Sequence, residues 1–174
     1  LRVRETLADR LRTNPTAPRD VVLQLANDVE SVALPVLQAS LVLSDADLVS
    51  IIEASHDMSK LLAISRREHV SMRVSDALVE TQYPQVVTSL LANEGAAISD
   101  RSYERIANDF KDDQAIAEAV AGRQPLPRSV VEKLVSRVSA NVAETLKARY
   151  GIREEDMKSG SGARDDVMAL LLEG

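Results

Sequence analysis

The sequence predicts an all-α fold, a short right-handed α-solenoid of about five two-helix repeats ending in a longer C-terminal helix. Three observations lead there. Hydrophobic residues make up 45% of the 174-residue chain but aromatics only 2%, so the core material is Ala, Val, Leu and Ile, which suits helix packing better than a β-sandwich. Five anchors, Pro18, Ser44, Ser71, Ser99 and Pro127, follow one another at spacings of 26, 27, 28 and 28 residues. Apolar positions then recur at fixed offsets from each anchor. Four residues on stand Val22, Leu48, Ser75, Tyr103 and Val131; seven and eight residues on stand Leu25-Ala26, Ile51-Ile52, Leu78-Val79, Ile106-Ala107 and Leu134-Val135. These offsets mark one face of an α-helix.

Each anchor is expected to open the second helix of its pair. A Ser hydroxyl accepts a bond from an orphan N–H of the first turn, and Pro suits a first turn where its missing N–H costs nothing. Asp45, Asp76 and Asp100 follow the serine anchors and bring negative charge toward the positive end of the helix dipole. The residue before each anchor is apolar: Ala17, Leu43, Val70, Ile98 and Leu126.

A further apolar stripe precedes each anchor and predicts the first helix of each pair. It reads Val3, Leu7, Leu11, then Val32, Val36, Leu37, then Leu61, Leu62, Ile64, then Val86, Val87, Leu90, Leu91, and finally Ile116, Ala119, Val120. The pairs are joined by turns at Asn27-Asp28, Ser55-His56-Asp57, Gln82-Tyr83-Pro84 and Lys111-Asp112-Asp113, with Pro84 fitting a helix start. Short amphipathic helices of this kind bury their faces only by stacking pair on pair.

The last part of the chain departs from this pattern. Val130, Val131, Leu134, Val135, Val138, Val142, Leu146 and Tyr150 predict one long helix with Gly151 as its C-cap, so residues 1–150 read as the repeat domain. Residues 151–163, with Glu154-Glu155-Asp156 and Ser159-Gly160-Ser161-Gly162, read as a flexible linker. Residues 164–174, carrying Val167, Met168, Leu170, Leu171 and Leu172, read as a short amphipathic helix. Such a helix is too short to stand alone in water, so it must dock on its own domain, on a second copy to give a homodimer, or on a partner. The chain begins with Leu1 rather than Met, which suits a piece of a longer protein.

The phrase Leu7-Ala8-Asp9-Arg10-Leu11-Arg12-Thr13-Asn14-Pro15-Thr16-Ala17-Pro18, followed by Leu25-Ala26-Asn27-Asp28, resembles leucine-rich-variant and HEAT-like helical repeats. The longer string Ile64-Ser65-Arg66-Arg67, Val70-Ser71, Val74-Ser75-Asp76-Ala77-Leu78-Val79, Val86, Leu90-Leu91-Ala92-Asn93, Ala96, Ile98-Ser99, with Arg123 and Leu126-Pro127, resembles an alphaproteobacterial family of unknown function. The likeness covers roughly residues 1–140. It implies a HEAT-like fold in a cytoplasmic bacterial protein and supplies no activity and no catalytic residue. The chain departs from the pattern at Ser65, where Ala is expected, and at Gln82-Tyr83-Pro84, where a Gly-Asp type of turn is expected.

No catalytic, cofactor or metal site is predicted. Zero Cys excludes disulfides, thiol nucleophiles and thiolate metal sites. His56 and His69 fall in or near turns, each beside a carboxylate, Asp57 or Glu68, that adjacent helical positions would not let it face. The pairs Asp45 with Asp47, Asp112 with Asp113 and Asp165 with Asp166 match no calcium loop and are expected to cap helices. Residues 1–150 hold only Gly95 and Gly122, too few for phosphate-binding loops.

Two charge features have a structural and a functional reading each. No Lys or Arg stands between Arg19 and Lys60, while Asp28, Glu30, Asp45, Asp47, Glu53 and Asp57 accumulate. They are either a solvated surface or an acidic face for a basic partner segment. The turns inside the helix pairs carry Arg12, Asn14, Arg66, Arg67, Asn93 and Arg123. Those side chains either bond the last carbonyls of the first helices or form a ridge that recognises acidic groups by forked guanidinium contacts.

The function expected is a non-catalytic scaffold or adaptor module for a protein partner. The alternative is a regulatory or sensory module of a larger bacterial signalling protein, and a less favoured one is a HEAT-like nucleic-acid processing protein. A net charge of -6 and few aromatics weigh against nucleic acid. No apolar run reaches membrane-spanning length, so no membrane insertion is expected.

Overall fold

A computed structural model describes residues 1–123 and 125–131. They are helical throughout, in the order α1 (Arg2–Leu11), α2 (Arg19–Ala26), α3 (Glu30–Ala39), α4 (Asp45–Ala54), α5 (Met58–Ser65), α6 (Met72–Glu80), α7 (Pro84–Ala92), α8 (Asp100–Asp109) and α9 (Gln114–Ala121), with a further helical turn over 128–131. Among the described residues no β-strand forms, and an isolated parallel bridge joins Val70 to Ala96. The expected long helix beyond Val131, the linker 151–163 and the tail 164–174 lie outside the described residues.

The anchors sit where the second helix of each pair begins. Ser44 and Ser71 are N-caps whose hydroxyls accept from the amides of Asp47 and Val74. At α4 the arrangement is a full capping box, because Asp47 returns a bond to the Ser44 amide. Pro18 stands at the N-cap itself rather than inside the first turn, with φ -59 and ψ 124. Pro84 is the first residue of α7, as its missing N–H allows. Asp76 lies too far along α6 to serve the helix dipole and instead accepts from the Ser99 hydroxyl at 2.7 Å.

The chain divides into two compact units, Leu1–Ser99 and a second that starts at Asp100. Within the first, α1, α3, α5 and α7 pack in succession, each against the next, and α4 packs against α6. Val32, Val36, Leu37, Leu61, Ile64, Val86, Val87 and Leu90 on the first helices are buried, as are Val22, Leu25, Leu48, Ile51, Ile52, Val74, Leu78 and Val79 on the second. Pro35 within α3 forfeits one helical hydrogen bond, a loss that the burial of its neighbours Val32, Ala33, Val36 and Leu37 offsets. In the second unit α8 packs on α9, and Tyr103, Ile106, Ile116, Val120 and Leu126 are buried.

The first stripe differs from expectation. Val3 is 81% and Leu7 41% exposed, and the residue of α1 that is fully buried is Ala8. Helix α1 turns Ala8 inward and Val3 and Leu7 outward, while Leu11 is half-buried. Ile98 and Ala107 are half-buried rather than buried.

Candidate functional site

The turns inside the helix pairs bring two of the side chains singled out in the sequence, Arg67 and Asn93, into one ladder of hydrogen bonds in the first unit. Each first helix ends there with carbonyls that no residue of its own helix can satisfy. Arg67 follows α5 and reaches back to α3, donating from Nη1 to the Leu37 carbonyl and from Nη2 to the Ser40 carbonyl, both at 2.5 Å. Burial pushes the Arg67 pKa down and Asp45 opposes that shift. A guanidinium keeps its charge regardless, so two orphan carbonyls receive charge-assisted bonds.

One pair further on, Asn93 repeats the arrangement. Its Nδ2 donates to the carbonyls of Ser65 at 2.8 Å and Arg67 at 2.7 Å, and its Oδ1 accepts from the Gly95 amide at 2.9 Å. The buried Ser65 hydroxyl donates to the Leu62 carbonyl at 2.9 Å and lies 2.8 Å from the Ser89 hydroxyl, which supplies the proton for that second bond. Beside this the backbones pair directly. The Val70 amide donates to Gly95 at 3.1 Å, and the Ala97 amide donates to Val70 at 2.9 Å. A Cβ at position 95 would sit 1.8 Å from the Glu68 carbonyl oxygen, so this approach requires glycine.

The other candidates of this set stand apart from the ladder. Arg12 Nε pairs with Asp9 at 2.9 Å within α1 and its cap. Asn14 Oδ1 accepts from the amide and hydroxyl of Thr16 in its own turn. Arg66 caps α5 with its backbone and is exposed. Arg123 belongs to the second unit, where its Nε donates to the Tyr103 hydroxyl at 3.1 Å. Sequence reasoning missed Ser40, Ser65 and Gly95 as partners in the ladder. The one available signal was Gly95 itself, isolated in a glycine-poor stretch.

The acidic residues separate into two groups. Asp28 accepts both bonds of the Arg4 guanidinium, at 2.8 and 2.7 Å, and also bonds the Val29 amide. Asp57 caps α5 through the Ser59 amide. Asp47, 9% exposed, accepts from the Ser44 amide and hydroxyl and from Arg19. Desolvation raises its pKa, but the Ser44 bonds and Arg19 outweigh that and hold it below the ordinary value. Glu30, Asp45 and Glu53 are exposed, and Asp45 lies in the field of Arg67.

His56 and His69 are exposed outside the helices, with His69 Nε2 3.9 Å from Glu68. Asp113 caps α9 through the Ile116 amide, while Asp165 and Asp166 lie outside the described residues. Among the described residues no group of three or more His, Asp or Glu side chains is arranged to hold a metal ion. None of the described helices is long and apolar enough to cross a membrane.

No curated protein and no solved structure matches the chain. A family model does match over residues 32–168, which takes in every residue of the ladder from Leu37 to Ala97 and leaves α1 and α2 outside. The chain belongs to that family, described as an uncharacterised protein conserved in bacteria (DUF2336).

Proposed function

We propose that the helix pairs build a short right-handed, HEAT-like α-solenoid of about five repeats, and that this solenoid is a non-catalytic protein-interaction module of the bacterial cytoplasm. The observation that carries the reading is the ladder. Arg67 and Asn93 each tie the inner turn of one helix pair to the pair before it, at sequence separations of 26 to 30 residues, which is one repeat. Bonding at one-repeat intervals is how stacked pairs hold register, and the near-equal anchor spacings extend the same unit to Pro127. The cytoplasmic setting rests on the family resemblance in the sequence.

Arrays of this kind work by offering a long surface to another chain. Here the residues that offer themselves are Glu30 and Glu53, exposed and without an ion pair among the described residues, in a stretch that holds no basic residue between Arg19 and Lys60. Their charge suits a basic segment of a partner protein. The test is affinity capture from the native cytoplasm with the wild-type chain and with the double variant Glu30→Lys/Glu53→Lys, compared at equal helix content by circular dichroism. The reading expects a specific set of proteins with basic segments that the variant loses. An unchanged set would remove the acidic face from the account, and no retained protein with either bait would remove the interaction module.

A further inference from the structure

We infer that α1 is a releasable strap, latched over α3 by the Arg4–Asp28 pair and opening independently of the rest of the first unit. This inference is independent of the interaction reading above. Helix α1 packs on α2 and α3, yet the residue it fully buries is Ala8, and Val3 and Leu7 point to solvent. Apart from half-buried Leu11, the side chains of α1 therefore bring little apolar area to that contact.

What holds it is charge. Nη1 of the Arg4 guanidinium donates to both oxygens of Asp28, a carboxylate whose side chain is 13% exposed. Asp28 is itself fixed, because its carboxylate bonds the Val29 amide and its carbonyl receives Lys60 Nζ of α5 at 3.1 Å. The latch receiver belongs to the body of the unit, while the latch arm is half exposed to solvent.

The next two junctions are fastened differently. Arg67 bonds the end of α3, Asn93 bonds the end of α5, and Val70 pairs with Gly95 and Ala97. At the first junction those devices are missing. Asn14 spends its side chain on Thr16, and Ser40 spends its hydroxyl on the Val42 amide. Among the described residues, the turns 12–17 and 38–43 exchange no hydrogen bond. Helix α1 therefore lacks the bonding of side chains to main-chain carbonyls of the neighbouring turn that fastens α5 and α7. Release would remove one of the three helices, α1, α2 and α5, that pack on α3, whose Val32, Ala33, Val36 and Leu37 are buried.

Native-state hydrogen exchange read by mass spectrometry tests the strap on the full chain, at low ionic strength and at about 1 M salt, where charge pairs are screened. Amides of α1 should exchange roughly tenfold or more faster than those of α5. High salt, or Arg4→Gln at low salt, should speed α1 roughly a further three- to fivefold and leave α5 unchanged. Arg10→Gln, on the same helix but away from Asp28, should leave both unchanged. Equal exchange in α1 and α5 would overturn the independent opening. A rate in α1 indifferent to both salt and Arg4→Gln, or equally raised by Arg10→Gln, would overturn the latch.

Discussion

The Arg67 guanidinium donates to the main-chain carbonyl of Ser40, 27 positions earlier, so that the turn of one helix pair closes the C-terminal end of the first helix in the preceding pair. The second donor of the same fork takes the Leu37 carbonyl. Removing the fork leaves both carbonyls in a place that water reaches poorly. Arg67→Met should therefore destabilise the first unit by about 1.5–3 kcal/mol, the range for hydrogen bonds to charged groups. Arg67→Lys should recover only part of this, because an ammonium on a flexible stem is a point donor without the planar fork. Urea titration followed by circular dichroism ranks the three proteins. A lysine variant as stable as wild type would mean that charge alone, and not the fork, serves the turn.

Gly95 makes the opposite sign of a common substitution testable. Gly to Ala at a compatible backbone position ordinarily stabilises by about 0.4–1 kcal/mol through the unfolded state. Here the added Cβ meets a backbone carbonyl, that of Glu68, at 1.8 Å. The turn 93–97 must then move off the turn 68–70, and the bonds between Val70 and its partners Gly95 and Ala97 lengthen or break. Gly95→Ala should destabilise by about 1–3 kcal/mol, as overpacking does. A melting temperature at or above wild type would show that the close approach is dispensable.

The sequence was a good guide wherever a position obeys helical periodicity or capping chemistry. Leu25, Ile51, Leu78 and Ile106 share an offset from their anchors and all are buried, and Ser44 and Ser71 cap the helices that follow them. It was a poor guide where the deciding partner lies 26 to 30 residues away. Asn93 was expected either to bond the last carbonyls of the first helices or to join a recognition ridge, and periodicity did not say that the carbonyls it bonds are those of Ser65, at the end of α5, and Arg67. Nor does periodicity say which face of a helix has a neighbour, and that is why Val3 and Leu7 looked like core. The two departures from the expected pattern acquire physical meaning in the structure. Ser65 is buried and bonds Ser89, a contact an Ala could not make. Gln82 adopts φ 58, the left-handed region that a glycine-type turn residue would occupy with less strain.

Ser75 stands four residues after its anchor, the offset at which the other anchors are followed by Val22, Leu48, Tyr103 and Val131, and it is fully buried. Its hydroxyl has no hydrogen-bond partner among the described residues. A buried hydroxyl without a partner costs free energy that a methyl group does not. Ser75→Ala should thus be neutral or stabilising by up to about 1 kcal/mol, whereas Leu78→Ala one turn along the same helix should cost about 2–5 kcal/mol. Thermal and urea unfolding of the two variants decides the matter. A Ser75→Ala loss of about 1 kcal/mol or more would assign the hydroxyl a bonding role in the packed helix.

Asp47 links stability to pH. Its carboxylate is held in the ionised form by the amide and hydroxyl of Ser44 and by Arg19, against the desolvation that raises its pKa, and the net folded-state value lies below the ordinary 3.8. A group whose pKa is depressed on folding releases its proton more readily in the folded than in the unfolded chain, so stability rises with pH while the unfolded chain still binds that proton. The contribution is complete above the ordinary value of 3.8, shrinks as the pH falls below it, and is gone once the pH has passed the lower folded value. Asp47→Asn keeps the shape and removes the charge. The stability gap between wild type and Asp47→Asn, followed by urea titration from neutral pH downward, should stay constant until the pH nears 4 and then close. The parallel variant Ser44→Ala removes the largest lowering influence and the cap together, so it should shrink the pH-dependent part and add a pH-independent loss of about 0.5–2 kcal/mol. A gap for Asp47→Asn that persists undiminished at low pH would mean that the carboxylate acts through its shape in the capping box and not through its charge.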